Sequence, residues 1–436
     1  MKVLVYTEKK TSRLRYAFRL ILRSVLGLEM EITEDQEVFR KYTGPRINYS
    51  QVPFEGVLTF RPAELLFERD IFEQEIYTSS FKGEVIFFTT KNQDPIPFDL
   101  FAASFYLVTR YEEYLPFIPD THNRFTAAES LAVKEGFLSR PLVNIWADWL
   151  MDALKASYPG FEANRTPYRF ISTVDVDNLY AYKGKGGFRT LSGFAKDILS
   201  FDLQELKNRV QVLTGFRKDP YDTLDMQLRL QEKYGFESIY FMLFSRFGQF
   251  DRNLPMYSPR LHAAVKDISD EAIVGIHPSY ASNERFSTLV DEVKSLNAVL
   301  NMPVLHSRQH FLKMQFPKTF RQLVELGIQH EYSMGYASQP GFRASICTPF
   351  PFYDVELEEE VPLMMHPFSV MEYTFTENLR LSPDESLEEM KKYIDVTKRY
   401  SGEMITVWHN RTFSEKDQAW KGWNRVYEEM IQEALR

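Results

Sequence analysis

The chain has 436 residues, 44% of them hydrophobic and 26% charged, values close to globular averages that argue against disorder and against a membrane protein. Its 52 basic and 60 acidic residues leave a net charge of -8, the wrong sign for a broad nucleic-acid surface. The single cysteine, Cys347, excludes an intrachain disulfide framework and any multi-thiolate metal site, so a metal would have to sit on histidine and carboxylate.

The length suits two domains, one of them large enough for a barrel of roughly 200 residues. In chain order, Val3–Tyr6 reads as a buried strand. Its apolar run is far shorter than the roughly 7–15 residues of a signal-peptide core, and no segment approaches the roughly 18 uncharged apolar residues of a membrane span. The expectation is a cytoplasmic protein. A helix follows from about Thr11 to Leu26, with Leu14, Phe18, Leu22 and Val25 on one face and Arg13, Arg15, Arg19 and Arg23 giving it a basic side. A membrane-surface role is open to such a helix, but packing on a sheet with solvated arginines is the expectation. The segment Phe98–Leu115, opened by Pro97 and Asp99, is dense in aromatic residues and predicted to lie in the core. Within it Arg110, Glu112 and Glu113 could line a pocket, although pairing on a helix surface is the commoner role.

Pro159, Gly160, Asn164 and Pro167 cluster around Ser157–Thr166, which marks a linker. It divides a smaller α/β N-terminal domain, residues 1–160, from a larger unit, residues 165–436. Beyond it, seven apolar runs alternate with helical patterns: Arg169–Val176, Ser238–Phe244, Ala272–His277, Pro303–Ser307, Ile328–Ser333, Val361–His366 and Met404–His409. That alternation predicts a parallel α/β barrel. No internal repeat or low-complexity tract interrupts it.

Nearly every one of these strands ends on a residue able to bind metal or move a proton, and the carboxyl ends of barrel strands form the active face. The first closes on Thr173-Val174-Asp175-Val176-Asp177, and a two-residue spacing on a strand puts both carboxylates on one face. Such a pair calls for a compensating cation, one acid serving as ligand and the other as free base. The third ends at His277 before Pro278. The fourth continues into His306-Ser307-Arg308-Gln309-His310, where either histidine could be a ligand, and the seventh ends on Trp408-His409. Taken singly, a strand-end Asp pair or rim histidine is more often structural. Shared location across four strand ends favours a site.

Residues from about Tyr168 to Asn410 resemble the NodB-homology polysaccharide deacetylases, carbohydrate esterase family four, whose fold is a distorted (β/α)7 barrel. The family's first motif, TFDDG, matches Thr173–Asp177 with one residue between the acids. The resemblance implies Asp175 as catalytic base and Asp177 as metal ligand. The second motif, HSxxH, reads here as His277-Pro278-Ser279-Tyr280-Ala281, without its second histidine. A divergent branch with a T-x-D-x-D pattern replaces that histidine by an R-Q-H segment, which Arg308-Gln309-His310 fits. His310 is therefore the implied second histidine ligand and His306 its rival. Gly341-Phe342-Arg343-Ala344 resembles the arginine motif and nominates Arg343 as ionic partner of Asp175, while Val407-Trp408-His409 implies His409 as general acid. Residues 1 to about 160 resemble an N-terminal module found on bacterial chains of this kind, through Phe98–Tyr106 and Arg110–Tyr114.

The implied activity is metal-dependent removal of an N-acetyl group from an amino-sugar glycan or precursor, with a divalent metal, zinc by expectation, on Asp177, His277 and His310. Tyr280, Tyr332 and Trp408 are the expected sugar-stacking residues, and a carbohydrate the expected partner. Two alternatives stand beside it: a non-catalytic glycan-binding or assembly protein on a degenerate barrel, and a metal-dependent hydrolase of another amide or ester.

Overall fold

Val3, Val5 and their neighbours are buried on both faces of the first strand, the pattern of a central strand in a parallel sheet. A computed structural model describes residues 2–90, 94–414 and 418–436. In it β1 (Lys2–Thr7) pairs in parallel with β2 (Glu29–Thr33) and β3 (Arg46–Tyr49), and β4 (Leu58–Phe60) extends the sheet in the order β2-β1-β3-β4. A short hairpin of β5 (Ser79–Phe81) and β6 (Glu84–Ile86) follows.

The predicted basic helix forms as Ser12–Phe18 and continues in π-helical turns through Arg19–Val25. Arg15, Arg19 and Arg23 are exposed, as expected. Arg13 is not: it is buried and its guanidinium grips the Glu358 carboxylate. The aromatic segment becomes the helix Leu100–Val108, every residue of which is buried. Asp99 caps it by accepting from the Phe101 and Ala102 N–H groups, an arrangement that contributes about 1 kcal/mol.

The second sheet has nine strands: β7 (Arg169–Val176), β8 (Glu237–Met242), β9 (Ile273–Ile276), β10 (His306–Ser307), β11 (His330–Glu331), β12 (Phe350–Asp354), β13 (Glu359–Met365), β14 (Val370–Met371) and β15 (Glu403–His409). Their order is β12-β13-β11-β10-β9-β8-β7-β15-β14, and every neighbouring pair is parallel except β12 with β13. Each of the seven expected strands has a counterpart. Helices connect most of them, giving a mixed α/β architecture. Among the described residues no ladder joins the β12 edge to the β14 edge, where the sequence predicts a closed seven-unit barrel. Pro367, which has no N–H to donate, follows β13 closely, and β14 beyond it is only two residues long.

One apolar core runs through both sheets without a break at the linker. Gly341 adopts φ 137°, and a Cβ there would stand 2.6 Å from the Leu138 carbonyl oxygen, so the two halves meet at a distance only glycine allows. Beside it Arg110 and Glu113 are buried rather than paired on a helix surface, and both reach Arg343 of the larger half. Among the described residues no helix is long and apolar enough to cross a membrane.

Candidate functional site

Parallel strands running side by side bring their carboxyl ends to one rim, and that rim gathers the chemistry. Asp177 follows the last residue of β7, His277 follows β9, His310 lies three residues beyond β10, and His409 ends β15. Asp177 Oδ1 stands 3.3 Å from His277 Nε2 and 3.6 Å from His310 Nε2. These three residues offer donor atoms within 4.8 Å of one another, the one such group found among the described residues.

The other ring nitrogens fix what those atoms carry. His277 Nδ1 faces the Arg308 carbonyl oxygen at 2.5 Å, and His310 Nδ1 faces Asp251 Oδ1 at 2.9 Å. Both partners only accept, so each neutral ring keeps its proton on Nδ1 and presents a lone pair at Nε2. The two lone pairs converge on Asp177 Oδ1, itself buried and without a hydrogen-bond donor. Three electron-rich atoms facing one another call for a cation between them. One carboxylate and two imidazoles suit zinc and its neighbours, and the remaining coordination positions are open to water and substrate.

Electrostatics point the same way. Burial lowers the His277 pKa, yet Asp175 and Asp177 lift it above its ordinary value. Asp177 is held well below the usual carboxylate range because, against burial, the positive charge that His310, His277 and His409 carry when protonated outweighs it. A cation and these protons therefore compete for one place.

Asp175, 3% exposed, sits beside this group with Oδ2 3.9 Å from His277 Nε2. The arginine that meets it is Arg308, whose Nη1 donates to Asp175 Oδ1 at 3.0 Å and to Thr173 Oγ1 at 2.6 Å. Arg343, nominated for that role by its motif, does not reach the site. Its guanidinium is committed to both oxygens of Glu113 and to the Gly335 carbonyl oxygen. From the neighbouring strand β15, His409 Nε2 lies 3.7 Å from Asp177 Oδ2 while its Nδ1 donates to Glu372 Oε1 at 2.8 Å. Burial lowers the His409 pKa, but Glu372, Asp177 and Asp175 push it up to about 9, so the ring is protonated at neutral pH.

Two of the expected sugar-stacking residues are not available for it. Trp408 is fully buried among Phe413, Trp423 and Tyr427, because consecutive strand residues face opposite ways and His409 takes the site face. Tyr332, 2% exposed, stacks on His366 with ring centroids 4.4 Å apart. Tyr280 is half-buried at the rim, packed against Phe250 and Phe311. His306 stands apart from the metal-type cluster, stacked on His330.

Asp251, Glu372 and the role of Arg308 are not predicted by the sequence reading. Asp251 lies in the loop after β8 and accepts from the Tyr280 N–H as well as from His310, a contact across 59 residues of chain. Glu372 follows β14, a strand too short to read from periodicity. It also accepts from the His409 N–H and the Thr412 hydroxyl.

Among curated proteins none matches the chain. Residues 3–159 match the model of DUF7033, a family of unknown function. Solved structures give partial likenesses. A chain from Mycobacterium smegmatis assigned as a polysaccharide deacetylase is 12% identical, with TM-score 0.40 over 62% of this chain and 84% of its own. The Puue allantoinase is 12% identical, with TM-score 0.39 over 61% and 83% of the two chains. A CE4 family pseudoenzyme from Bacillus anthracis is 12% identical, with TM-score 0.28 over 63% and 66%.

Proposed function

We propose that this protein is a metal-dependent hydrolase that removes an N-acetyl group from an amino sugar in a glycan or glycan precursor, on a distorted (β/α)7 barrel preceded by an accessory α/β unit, residues 1–160. The observation that carries the reading is the buried, donorless Asp177 Oδ1 with two imidazole lone pairs aimed at it. Asp177, His277 and His310 would hold a divalent cation, zinc by the chemistry of the donors. Such a cation would supply Lewis acidity, lowering the pKa of bound water toward about 7 and polarising an amide carbonyl.

The remaining steps belong to side chains. Asp175 takes the proton of the attacking water, its carboxylate oriented by the Arg308 guanidinium. His409, kept cationic by Glu372, donates a proton to the departing amine nitrogen. Base and acid come from neighbouring strands, His409 lying opposite Asp175 in the β15–β7 register, so proton uptake and delivery occur close to the same substrate carbonyl. Tyr280, the one rim aromatic of the three expected that is part-exposed, offers a face for a sugar ring.

The test combines metal analysis with acetate release from N-acetylated sugars. Purified protein should hold about one divalent metal per chain. Asp177→Ala should lose it, whereas Asp175→Asn should retain the metal and lose turnover by about 10²–10⁴-fold, the usual contribution of a general base. Metal retained by Asp177→Ala, or full activity in Asp175→Asn, would overturn the assignment. Metal without acetate release from any sugar would favour hydrolysis of another amide or ester.

A further inference from the structure

Between β7 and β8 the chain leaves the sheet as two helices, Gly187–Leu199 and Leu203–Leu213, that pack on each other. Almost nothing on them is buried: Asp197 on the first and Val212 on the second. Their apolar residues nevertheless follow helical spacing. Phe188 and Leu191 on the first helix, Leu203 on the second, Phe201 between them and Phe216 after them are 70–88% exposed. Single exposed hydrophobics are ordinary, but a stripe of large ones along two adjoining helices marks a surface that something covers.

Charge identifies the covering partner. From Lys183 to Lys218 the chain carries eight Lys or Arg residues against three acids, Asp197, Asp202 and Glu205, a balance of +5 within a protein of net charge -8. Asp197 is already neutralised by Arg209, and Glu205 accepts from the Tyr182 hydroxyl. Lys185 turns inward onto Asn178. Lys196, Lys207 and Arg217 remain exposed on the same segment as the phenylalanines, while Lys218, also exposed, pairs with Asp222 and Asp225. Exposed aromatic and aliphatic side chains ringed by basic ones match the boundary of an anionic bilayer, where rings enter the acyl region and ammonium groups meet phosphates. A symmetric pairing with a second copy through this face would set two such basic segments against each other.

We infer that the hairpin Gly187–Leu213 and its flanks dock the protein on an anionic lipid surface. The base of the hairpin is fixed to the metal-type rim. Asp219 accepts from the N–H groups of Ala181, Tyr182 and Lys183, and Asn253 bonds the Leu179 N–H and the Val176 carbonyl oxygen. Arg189 donates to the Asn253 carbonyl oxygen and lies 4.2 Å from the ring of Phe247, itself 56% exposed on the loop after β8. Leu179 is two residues from Asp177, so a docked hairpin brings the rim to the lipid headgroups. Resting on the hydrolase reading above, this makes the substrate an N-acetylated amino sugar carried on a membrane lipid.

Vesicle co-sedimentation tests the docking without needing turnover. The full chain should bind phosphatidylcholine vesicles containing about 30% phosphatidylglycerol at least about tenfold better than phosphatidylcholine alone. Phe188→Ser/Phe201→Ser/Phe216→Ser should cost about tenfold or more of that binding, as should Lys196→Glu/Lys207→Glu/Arg217→Glu. All six side chains are exposed, so melting temperature and metal content should not change in either variant. Binding to neither vesicle, or binding that both variants leave intact, overturns the proposal. Self-association abolished by the phenylalanine changes, with no vesicle binding, also overturns it and gives the face to a second copy. Vesicle binding with no acetate release from any lipid-linked sugar would leave the docking standing and count against the hydrolase reading alone.

Discussion

His277, His310 and His409 at the rim differ from His306, His330 and His366 in what each ring's second nitrogen meets. At the rim, every Nδ1 faces a carbonyl or carboxylate oxygen, and every Nε2 is turned toward Asp177. In the second group the rings spend themselves on one another. His330 Nδ1 lies 3.0 Å from His366 Nε2, whose Nδ1 lies 2.6 Å from Glu403 Oε2, and His306 stacks on His330 at 4.7 Å. Three histidines in proximity are therefore not a metal site. What makes the difference is that His277 and His310 each rest Nδ1 on an accepting oxygen and aim Nε2 at the same Asp177 Oδ1, whereas in the second group only His366 has a carboxylate partner and no oxygen is shared.

Replacing one histidine from each group should separate them most sharply. His277→Ala removes a donor that nothing else supplies, and bound metal should fall from about one per chain to near zero. His330→Ala, with no atom in the rim cluster, should keep its metal. Metal analysis after dialysis reads both, and equal loss in the two variants would erase the distinction.

The sequence carries much of this, unevenly. The seven parallel strands are readable because each is an apolar run between helical patterns, and Asp175, Asp177 and His277 are readable because strand alternation and strand ends fix where they point. Asp251 and Glu372 are not. They reach His310 and His409 from loops whose path depends on packing, and no local pattern announces a carboxylate that serves an imidazole across 59 or 37 residues. Arg308 and Arg343 show the same limit from the other side. Both follow motif-like segments, yet the buried Glu113 of the N-terminal half captures Arg343, and only the fold reveals that contact. Trp408 is misread for a different reason: a residue adjacent to a site histidine along a strand faces away from the site.

Glu372 offers the next test of the rim. Its carboxylate, with those of Asp177 and Asp175, raises the His409 pKa to about 9, so Glu372→Gln, which removes the largest raising influence, should let that value fall toward the ordinary 6.5. A general acid works while protonated, so the alkaline limb of kcat/KM should move to lower pH, with turnover at pH 8 reduced about 10–100-fold. Metal content should not change, since His409 is not in the ligand set. A pH profile identical to the parent's would remove His409 from its role as acid.

The smallest effect belongs to the second histidine group and concerns stability alone. Burial, with His330, His366 and Arg169 nearby, pushes His306 down to about 3, and burial with His366 lowers His330 as well. Glu403 opposes this on His330, and the Tyr332 hydroxyl lies 3.1 Å from His306 Nδ1. A ring that is neutral when folded but titrates near 6.5 when unfolded contributes stability above pH 6.5, and the contribution is lost as pH falls from there toward about 3. Between pH 7 and pH 5 the loss through His306 amounts to about 1–2 kcal/mol, reduced by whatever solvent reaches the ring. Urea unfolding at the two pH values should show it in the parent and a smaller drop in His306→Gln, which has no proton to take up. An equal drop in both would mean that the acid sensitivity of the fold lies elsewhere and that stacking on His330 leaves His306 free to charge.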